Sequence, residues 1–200
     1  MAEISTEIIV QLREKSGCGM MDCKKALNES KGNIDAAMDL LRQKGLAAIT
    51  KRSGRTAAQG MVDSYVHTGG KIGVLIEVNC ETDFVAKNIE FQGFVKDLAM
   101  QIAAQNPQYI TRYEVPEGIV EHEKDIIQTQ AQSEGKPEKA VEKIVEGRLD
   151  KFYEEVCLID QPFIKDPKMK IKDLLGGMSA KIGENIVIRR FTRYQLGEKS

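Results

Sequence analysis

The sequence lacks both an excess of charge and a long apolar run. Lysine and arginine total 29 residues against 30 for aspartate and glutamate, so the net charge of -1 provides no general attraction to phosphate backbones or acidic membranes. No stretch approaches the roughly 20 apolar residues of a spanning helix, and the N-terminus lacks the basic start and apolar segment of a secretory signal. We therefore expect a soluble cytoplasmic protein with no membrane partner and no direct nucleic-acid partner.

The residue types that build metal sites and thiol enzymes are few and scattered. The cysteines are Cys18, Cys23, Cys80 and Cys157. They lack paired C-x-x-C spacing and clustered histidines, so we expect free thiols and no metal site. A cysteine nucleophile would require Cys80 near His67, but these residues fall at opposite ends of one predicted strand.

Phosphate-binding loops are also missing. The segment HTGGKIG lacks the glycine spacing and the hydroxyl after lysine of a phosphate loop, and no G-x-G-x-x-G follows a strand. Glu154 and Glu155 are adjacent and point to different helix faces, which gives paired-carboxylate catalysis no support. We predict a binding protein that is not an enzyme and that holds no cofactor.

Helical spacing in residues 1–50 predicts a bundle of three short helices. Their apolar stripes are Ile4, Ile8, Ile9 and Leu12, then Met21, Ala26 and Leu27, then Ile34, Ala37, Met38 and Leu41. Asn33 is the predicted N-cap of the third helix and Gly45 its predicted end. Residues 51–60 are polar and glycine-punctuated, which predicts a linker whose basic side chains, including Arg52 and Arg55, are solvated.

Residues 61–200 predict an α+β core in which a small antiparallel sheet packs with helices. Two strands, MVDSYVH and KIGVLIEVN, are joined by the TGG turn of a hairpin. The helix that follows, from Asn88 to Gln105, carries the stripe Phe91, Val95, Leu98 and Ile102. A final strand, within ENIVIRRFTRYQLG, is predicted to join the hairpin, with a bulge or a sheet edge at the two arginines.

Apolar residues at helical spacing within a charged segment predict a helical hairpin at about 114–157, with Pro137 in the first turn of its second helix. The segment DQPFIKDPK contains two prolines and is predicted to be a loop. A short helix then follows and ends near Gly183.

The segment VNCETDFVAKN leaves the role of Phe84 open. Phe84 lies seven residues before Phe91, so a helix that began early would bury it in the same stripe. Asn88 would then lie inside that helix, although it is better suited to an N-cap. Thr82 or Asp83 can instead cap a separate single turn that displays the ring. The residues alone support burial and display equally.

Four segments in this chain form a recognisable series. They are GCGMMDCKKAL, VNCETDFVAKN, GKPEKAVEKIVEGRLDKFYEEVCLIDQPF and IGENIVIRRF. Together, and in this order, they closely resemble bacterial elongation factor Ts, and the resemblance covers nearly the whole chain. It implies a translation elongation factor that acts as a guanine-nucleotide exchange factor: it binds elongation factor Tu carrying GDP, dislodges the magnesium ion and promotes GDP release.

The resemblance also implies two groups of partner-binding residues. The segment pressed against the partner's GTPase domain, where it dislodges magnesium, is Thr82, Asp83, Phe84 and Val85. The N-terminal bundle, similar to ubiquitin-associated domains, would bind the same GTPase domain through Gly19, Met20, Met21 and Asp22. The alternative for the two methionines is packing inside the bundle, and that alternative is the stronger one for Met21.

Longer members of this family carry a second half-core, whereas this chain has one hairpin and one TDFV segment. We therefore expect a homodimer, with the strand near residues 186–194 in or beside the interface. Two rival interpretations are a polypeptide-binding module that uses the N-terminal bundle, and a thiol enzyme whose Cys80 would be alkylated fast and selectively.

Overall fold

The structure, a computed structural model, describes residues 5–16, 18, 20–52, 54–135 and 137–198. Its α-helices are α1 (Thr6–Ser16), α2 (Met20–Glu29), α3 (Ile34–Arg52), α4 (Asp83–Ala86), α5 (Ile89–Gln105), α6 (Glu117–Ser133), α7 (Glu138–Val156) and α8 (Ile171–Ile182). Its strands are β1 (Gln59–Val66), β2 (Ile72–Cys80), β3 (Pro162–Phe163), β4 (Asp166–Lys170) and β5 (Val187–Gln195). The predicted α+β fold class is confirmed.

The chain divides into two compact units. The first comprises residues 1–62, 77–95 and 173–189, and the second comprises residues 63–76, 96–172 and 190–200. Both β1 and β2, as well as α5, contribute residues to each unit.

In the first unit, α1, α2 and α3 pack against one another as the predicted three-helix bundle. Its core consists of Ile9, Leu12, Cys23, Ala26, Leu27, Ala37 and Leu41. Asn33 caps α3 as predicted, because its Oδ1 accepts a hydrogen bond from the backbone nitrogen of Ala36 at 3.0 Å.

Two details of the predicted bundle are wrong. Met21 is not part of the core stripe, since 65% of its surface is exposed and Cys23 takes the buried position. Met21 lies two residues before Cys23, roughly 200° away around the helix axis. Gly45 does not end the third helix, which continues to Arg52. A glycine inside a helix costs about 1 kcal/mol, and the good helix formers Leu46 and Ala47 follow it.

The predicted solvation of the basic residues after the bundle is wrong for Arg52, which is half-buried, whereas Arg55 is exposed as predicted. Arg52 donates a hydrogen bond from Nη1 to the carbonyl oxygen of Ser179 at 3.2 Å. Arg55 places its Nη1 3.4 Å from Oε1 of Glu81. Both contacts join the segment before β1 to residues far along the chain.

The three-stranded sheet has the order β1-β2-β5, so β5 joins the hairpin at an edge, as predicted. The hairpin turn is closed by a hydrogen bond from the His67 nitrogen to the Ile72 carbonyl at 2.9 Å, and Gly69 and Gly70 supply the positive φ angles it requires. The inward face of β2 buries Val74, Ile76, Val78 and Cys80, and α5 buries Phe91, Val95, Leu98 and Ile102.

In the second unit, α6 and α7 pack as the predicted helical hairpin. Arg112 lies in a 3-10 turn before α6 and pairs through Nε and Nη2 with the buried carboxylate of Asp160, at 2.9 and 3.0 Å. These bonds raise the pKa of Arg112 above its ordinary value, and the guanidinium also lies 4.6 Å from the ring centre of Tyr153.

The predicted loop at DQPFIKDPK is instead a small antiparallel hairpin of β3 and β4. Its strands are too short to show alternation in sequence, and both prolines occupy positions in a two-stranded ribbon, where a missing N–H is tolerated. Gln101, buried in α5, donates from Nε2 to the Pro162 carbonyl at 3.1 Å and thereby ties this hairpin to the helix.

Candidate functional site

The candidate site is the single helical turn α4, which follows the buried end of β2. Thr82 has an extended backbone, with φ −124° and ψ 156°, and its hydroxyl oxygen accepts a hydrogen bond from the Val85 nitrogen at 3.5 Å. Thr82 is therefore the N-cap of α4. The turn ends at Asn88, whose backbone nitrogen donates to the Val85 carbonyl. The Asn88 side chain then caps the next helix, because its Oδ1 accepts from the Glu90 nitrogen at 2.7 Å.

The turn leaves Phe84 exposed over 82% of its surface. Phe91, seven residues later in α5, is 0% exposed. The break between α4 and α5 at Asn88 is the reason, since Phe84 does not continue the buried stripe of α5. Of the two arrangements that the sequence supported equally, the structure shows display.

Asp83 and Lys87 form a pair across this turn. The Lys87 ammonium donates to Oδ2 of Asp83 at 2.8 Å, at the i,i+4 spacing that faces one side of a helix. This hydrogen bond holds the pKa of the Asp83 carboxyl below its ordinary value. Asp83 therefore does not cap its own turn, a role that Thr82 takes, and its carboxylate is ionised and accessible to a partner.

The residue that fixes the start of α4 is Glu184, which the sequence reasoning missed. Its Oε2 accepts hydrogen bonds from the backbone nitrogens of Glu81 and Thr82 at 3.0 and 3.1 Å. Its Oε1 accepts from the Thr82 hydroxyl at 2.6 Å. The only sequence signal is its place in the IGENIVIRRF segment, because 103 residues separate it from Glu81.

A second exposed apolar residue was also missed. Ile89, the first residue of α5, is 84% exposed. It stands five residues after Phe84, so two large apolar side chains face water within one short stretch of chain. Val85, between them, is half-buried. An exposed ring and an exposed branched chain so close together are typical of a protein contact surface.

The second predicted group of site residues lies on α2. Met20 and Met21 are both exposed, as is Asp22 in the same first turn. The packing alternative for the methionines is therefore wrong for Met21. Gly19, the other predicted residue of this group, lies outside the described residues. The structure thus places the two predicted groups on different helices, α2 and α4.

The thiol beside α4 is not arranged for catalysis. Cys80 is fully buried, and its Sγ donates to the Thr82 carbonyl at 3.1 Å. Burial raises the pKa of this thiol, and the carboxylate of Glu184 raises it further. Because a thiolate is the reactive form, this environment suppresses nucleophilicity. His67 stands at the turn end of the hairpin, whereas Cys80 ends β2.

Within the described residues, His, Cys, Asp and Glu side chains nowhere gather into a group of three that could hold a metal ion. Every helix in that part of the chain is too short or too polar to cross a lipid bilayer. The chemistry present at α4 is that of a contact: an exposed ring, an ionised carboxylate and a capped backbone.

Comparison with known proteins identifies the family. The model of the family described as Elongation factor TS matches residues 48–198. The chain belongs to the elongation factor Ts family. It is therefore a translation elongation factor, and the exposed TDFV turn lies inside the matched range.

Individual relatives match almost end to end. An elongation factor Ts of Alkaliphilus oremlandii is 61% identical over 98% of this chain and 90% of its own length. That of Desulfitobacterium hafniense is 59% identical over 99% of this chain and 91% of its own length. That of Caldanaerobacter subterraneus is 57% identical over 98% of both chains. Elongation factor Ts chains of this short length are thus known in several bacteria.

Proposed function

We propose that this chain is a guanine-nucleotide exchange factor that binds elongation factor Tu in its GDP form, dislodges the magnesium ion and promotes GDP release. The observation that carries the proposal is the display of Phe84, 82% exposed, on a capped turn in the TDFV segment. The phenylalanine ring has no polar group to bind water and is exposed together with Ile89, and such neighbouring apolar side chains are explained by a partner that buries them.

In this mechanism the segment Thr82, Asp83, Phe84 and Val85 meets the GTPase domain of the partner. Phe84 inserts its ring between partner helices and shifts the groups that order the magnesium ion, which weakens GDP binding. Asp83 accepts hydrogen bonds from the partner, and its ionised state at neutral pH favours this role. No covalent bond is made or broken, so the protein is not an enzyme in the chemical sense.

Phe84 is not sufficient by itself. Burying a phenylalanine contributes about 1.5–3 kcal/mol, whereas moving an equilibrium from 1:99 to 99:1 requires about 5.5 kcal/mol. We therefore propose a second contact, made by the ubiquitin-associated-like bundle of residues 1–50 through Gly19, Met20, Met21 and Asp22. Exposed methionines suit such a contact because their flexible thioethers adapt to an apolar surface.

Exchange by this mechanism is a coupling between two binding events. If the factor lowers the affinity of elongation factor Tu for GDP, GDP must lower its affinity for the factor by the same ratio. The complex therefore passes through a ternary state and dissociates when GTP binds. Nucleotide exchange on elongation factor Tu takes place in the cytoplasm, where translation occurs.

The proposal is tested by the release of fluorescent GDP from elongation factor Tu, with and without this protein. We expect release to accelerate with the concentration of the factor until it saturates. Excess GDP should then weaken the complex by the same factor by which the protein weakens GDP binding. Release at the spontaneous rate at every concentration would refute the proposal.

A further inference from the structure

We infer that Glu184 is a positioning residue for exchange: its carboxylate holds the N-terminal end of α4 and thereby sets where Phe84 is displayed. The inference rests on the proposed function, since positioning matters only if α4 meets a partner. Glu184 lies in the turn between α8 and β5, and it is 100 residues from Phe84 in the sequence.

The hydroxyl of Thr82 links Glu184 to α4. This hydroxyl has one hydrogen, which it donates to Oε1 of Glu184 at 2.6 Å. Its lone pairs are left to face α4, where they accept from the Val85 nitrogen at 3.5 Å. Glu184 therefore orients the cap as well as binding it. A charged acceptor makes a shorter and stronger bond than a neutral one, which fixes this orientation.

Glu184 also holds the backbone that leads into the turn. Its Oε2 receives the Glu81 and Thr82 nitrogens, so three donors converge on one carboxylate. The arrangement is reciprocal, because Oε1 of Glu81 accepts from the Asn185 nitrogen at 2.6 Å. Residues 81–82 and 184–185 are thus joined in both directions by carboxylate to N–H bonds.

Glu184 is itself held in place by its neighbours. Ser179, buried in α8, donates its hydroxyl to the Glu184 carbonyl at 2.6 Å. Asn185 is buried and donates from Nδ2 to the Arg55 carbonyl at 2.8 Å. The half-buried Glu184 side chain therefore fixes the start of α4 relative to the end of α8.

The position of Phe84 depends on the hydrogen bonds of Glu184, because little of the phenylalanine ring is packed against the protein. A ring with 82% of its surface in water is held by its backbone and not by packing. A turn that is already ordered loses less entropy when a partner binds it. Loss of the Glu184 carboxylate should therefore weaken binding of the partner more than it slows GDP release in the saturated complex.

The test compares Glu184→Ala and Glu184→Gln with the wild-type chain. The glutamine keeps a carbonyl oxygen for both backbone nitrogens, but it is neutral and presents an amide donor to the Thr82 hydroxyl, so it should preserve only part of the support of the turn. Glu154→Ala is the matched control. It removes a carboxylate of α7 that pairs with Lys170 of β4 at 2.7 Å and does not contact α4. The measurements are GDP release from elongation factor Tu against factor concentration, and amide hydrogen exchange of residues 82–87.

For Glu184→Ala we expect the half-saturating concentration to rise roughly tenfold or more, because the variant loses the carboxylate that accepts three hydrogen bonds. The maximal release rate should change less, and amide protection of residues 82–87 should fall. Glu154→Ala should stay within about twofold of wild type, and Glu184→Gln should fall between wild type and Glu184→Ala. In a Phe84→Ala background, Glu184→Ala should add about twofold or less, because both changes act through the same ring.

Two results would overturn the inference. The first is a half-saturating concentration for Glu184→Ala that is no higher than that for Glu154→Ala. The second is a full effect of Glu184→Ala in the Phe84→Ala background, which would indicate a structural role alone. If Glu184→Ala does not fold, Thr82→Val carries the same test: it removes the hydroxyl with its bonds to Glu184 and to the Val85 nitrogen, and it leaves the Glu184 bonds to the two backbone nitrogens in place. If wild-type protein fails to accelerate GDP release, the proposed function fails. Amide protection then decides the positioning claim by itself, and unchanged protection in Glu184→Ala would refute it.

Discussion

Phe84 and Phe91 are the same residue type, seven positions apart, in opposite environments. Phe84 is 82% exposed on α4, and Phe91 is 0% exposed in α5. At helical spacing the two would share a face, and the capping side chain of Asn88 is what separates them. The difference between a core residue and a contact residue is thus made by one local break in the backbone.

This pair yields a prediction about stability. Phe84→Ala should change the free energy of unfolding by less than about 0.5 kcal/mol, because little surface is buried at that position. Phe91→Ala should lower it by about 3–5 kcal/mol through the lost burial and the cavity left behind. Urea denaturation of both variants measures the difference. A loss for Phe84→Ala as large as that for Phe91→Ala would mean that Phe84 belongs to the core.

Single residues also mark the limit of what the sequence predicts. The stripe through Phe91 and Ile102 was predictable, because helical periodicity is a local property. Glu184 was not, since its partners lie 102 and 103 residues away. The exposure of Met21 was mispredicted because an apolar residue near a stripe was counted as part of it.

Among the helices and strands, those predicted correctly are the ones whose apolar residues repeat with a regular period. The hairpin of β1 and β2 has alternation on β2 and a glycine turn, and α5 has four buried apolar residues at helical spacing. The hairpin of β3 and β4 was missed because two-residue and five-residue strands are too short to show a period. The extension of α3 past Gly45 shows that one glycine does not end a helix.

Two glycines in different elements should respond oppositely to alanine. Gly60 in β1 has φ +139°, and a Cβ there would lie 2.7 Å from the Asn79 Cα and against the Val78 carbonyl oxygen. Gly60→Ala should therefore destabilise the protein by about 1–3 kcal/mol. Gly93, exposed in α5, has nothing within 4 Å of that position.

Gly93→Ala should then stabilise the protein by about 0.5–1 kcal/mol, because alanine favours the helix. Thermal unfolding of the two variants compares them directly. A neutral Gly60→Ala would show that β1 and β2 separate easily at this point, contrary to the close approach of their backbones.

At the scale of the whole molecule, we propose that residues 1–50 fold as a domain of their own, followed by a linker at 51–60 and a core at 61–200. The bundle has its own hydrophobic core, which includes Leu12, Leu27 and Leu41. Removing residues 1–50 leaves two hydrogen bonds in place: one from Arg52 to the Ser179 carbonyl, and one from the Asn185 side chain to the Arg55 carbonyl.

The truncated protein should still unfold cooperatively, while its binding to elongation factor Tu and its exchange activity fall. Circular dichroism melting and GDP release measure the two effects. If the fragment loses its cooperative transition, the bundle and the rest share one folding unit. If the isolated bundle binds unrelated polypeptides and the fragment retains full exchange activity, the bundle is a separate polypeptide-binding module.

We also propose that two copies of the chain associate through the region of β5. This strand lies at an edge of the β1-β2-β5 sheet and exposes Tyr194 over 74% of its surface. An edge strand with exposed aromatic and branched residues can pair with a second copy. Tyr113, 99% exposed before α6, provides a control of the same residue type.

Sedimentation equilibrium should give the mass of a dimer at micromolar concentrations. Tyr194→Arg should raise the dissociation constant of the dimer about tenfold, as for the loss of an interface aromatic residue. Tyr113→Arg should leave it unchanged. A monomer mass for the wild-type chain would contradict the proposed assembly and would show that one short core suffices.

The central claim is that the displayed ring of Phe84 drives GDP from elongation factor Tu. The most direct test is stopped-flow release of fluorescent GDP at saturating concentrations of wild-type protein and of Phe84→Ala. Burial of the ring contributes about 1.5–3 kcal/mol, so the maximal release rate should fall roughly tenfold to a hundredfold in the variant. An equal maximal rate for the two proteins, with both folded, would contradict the claim.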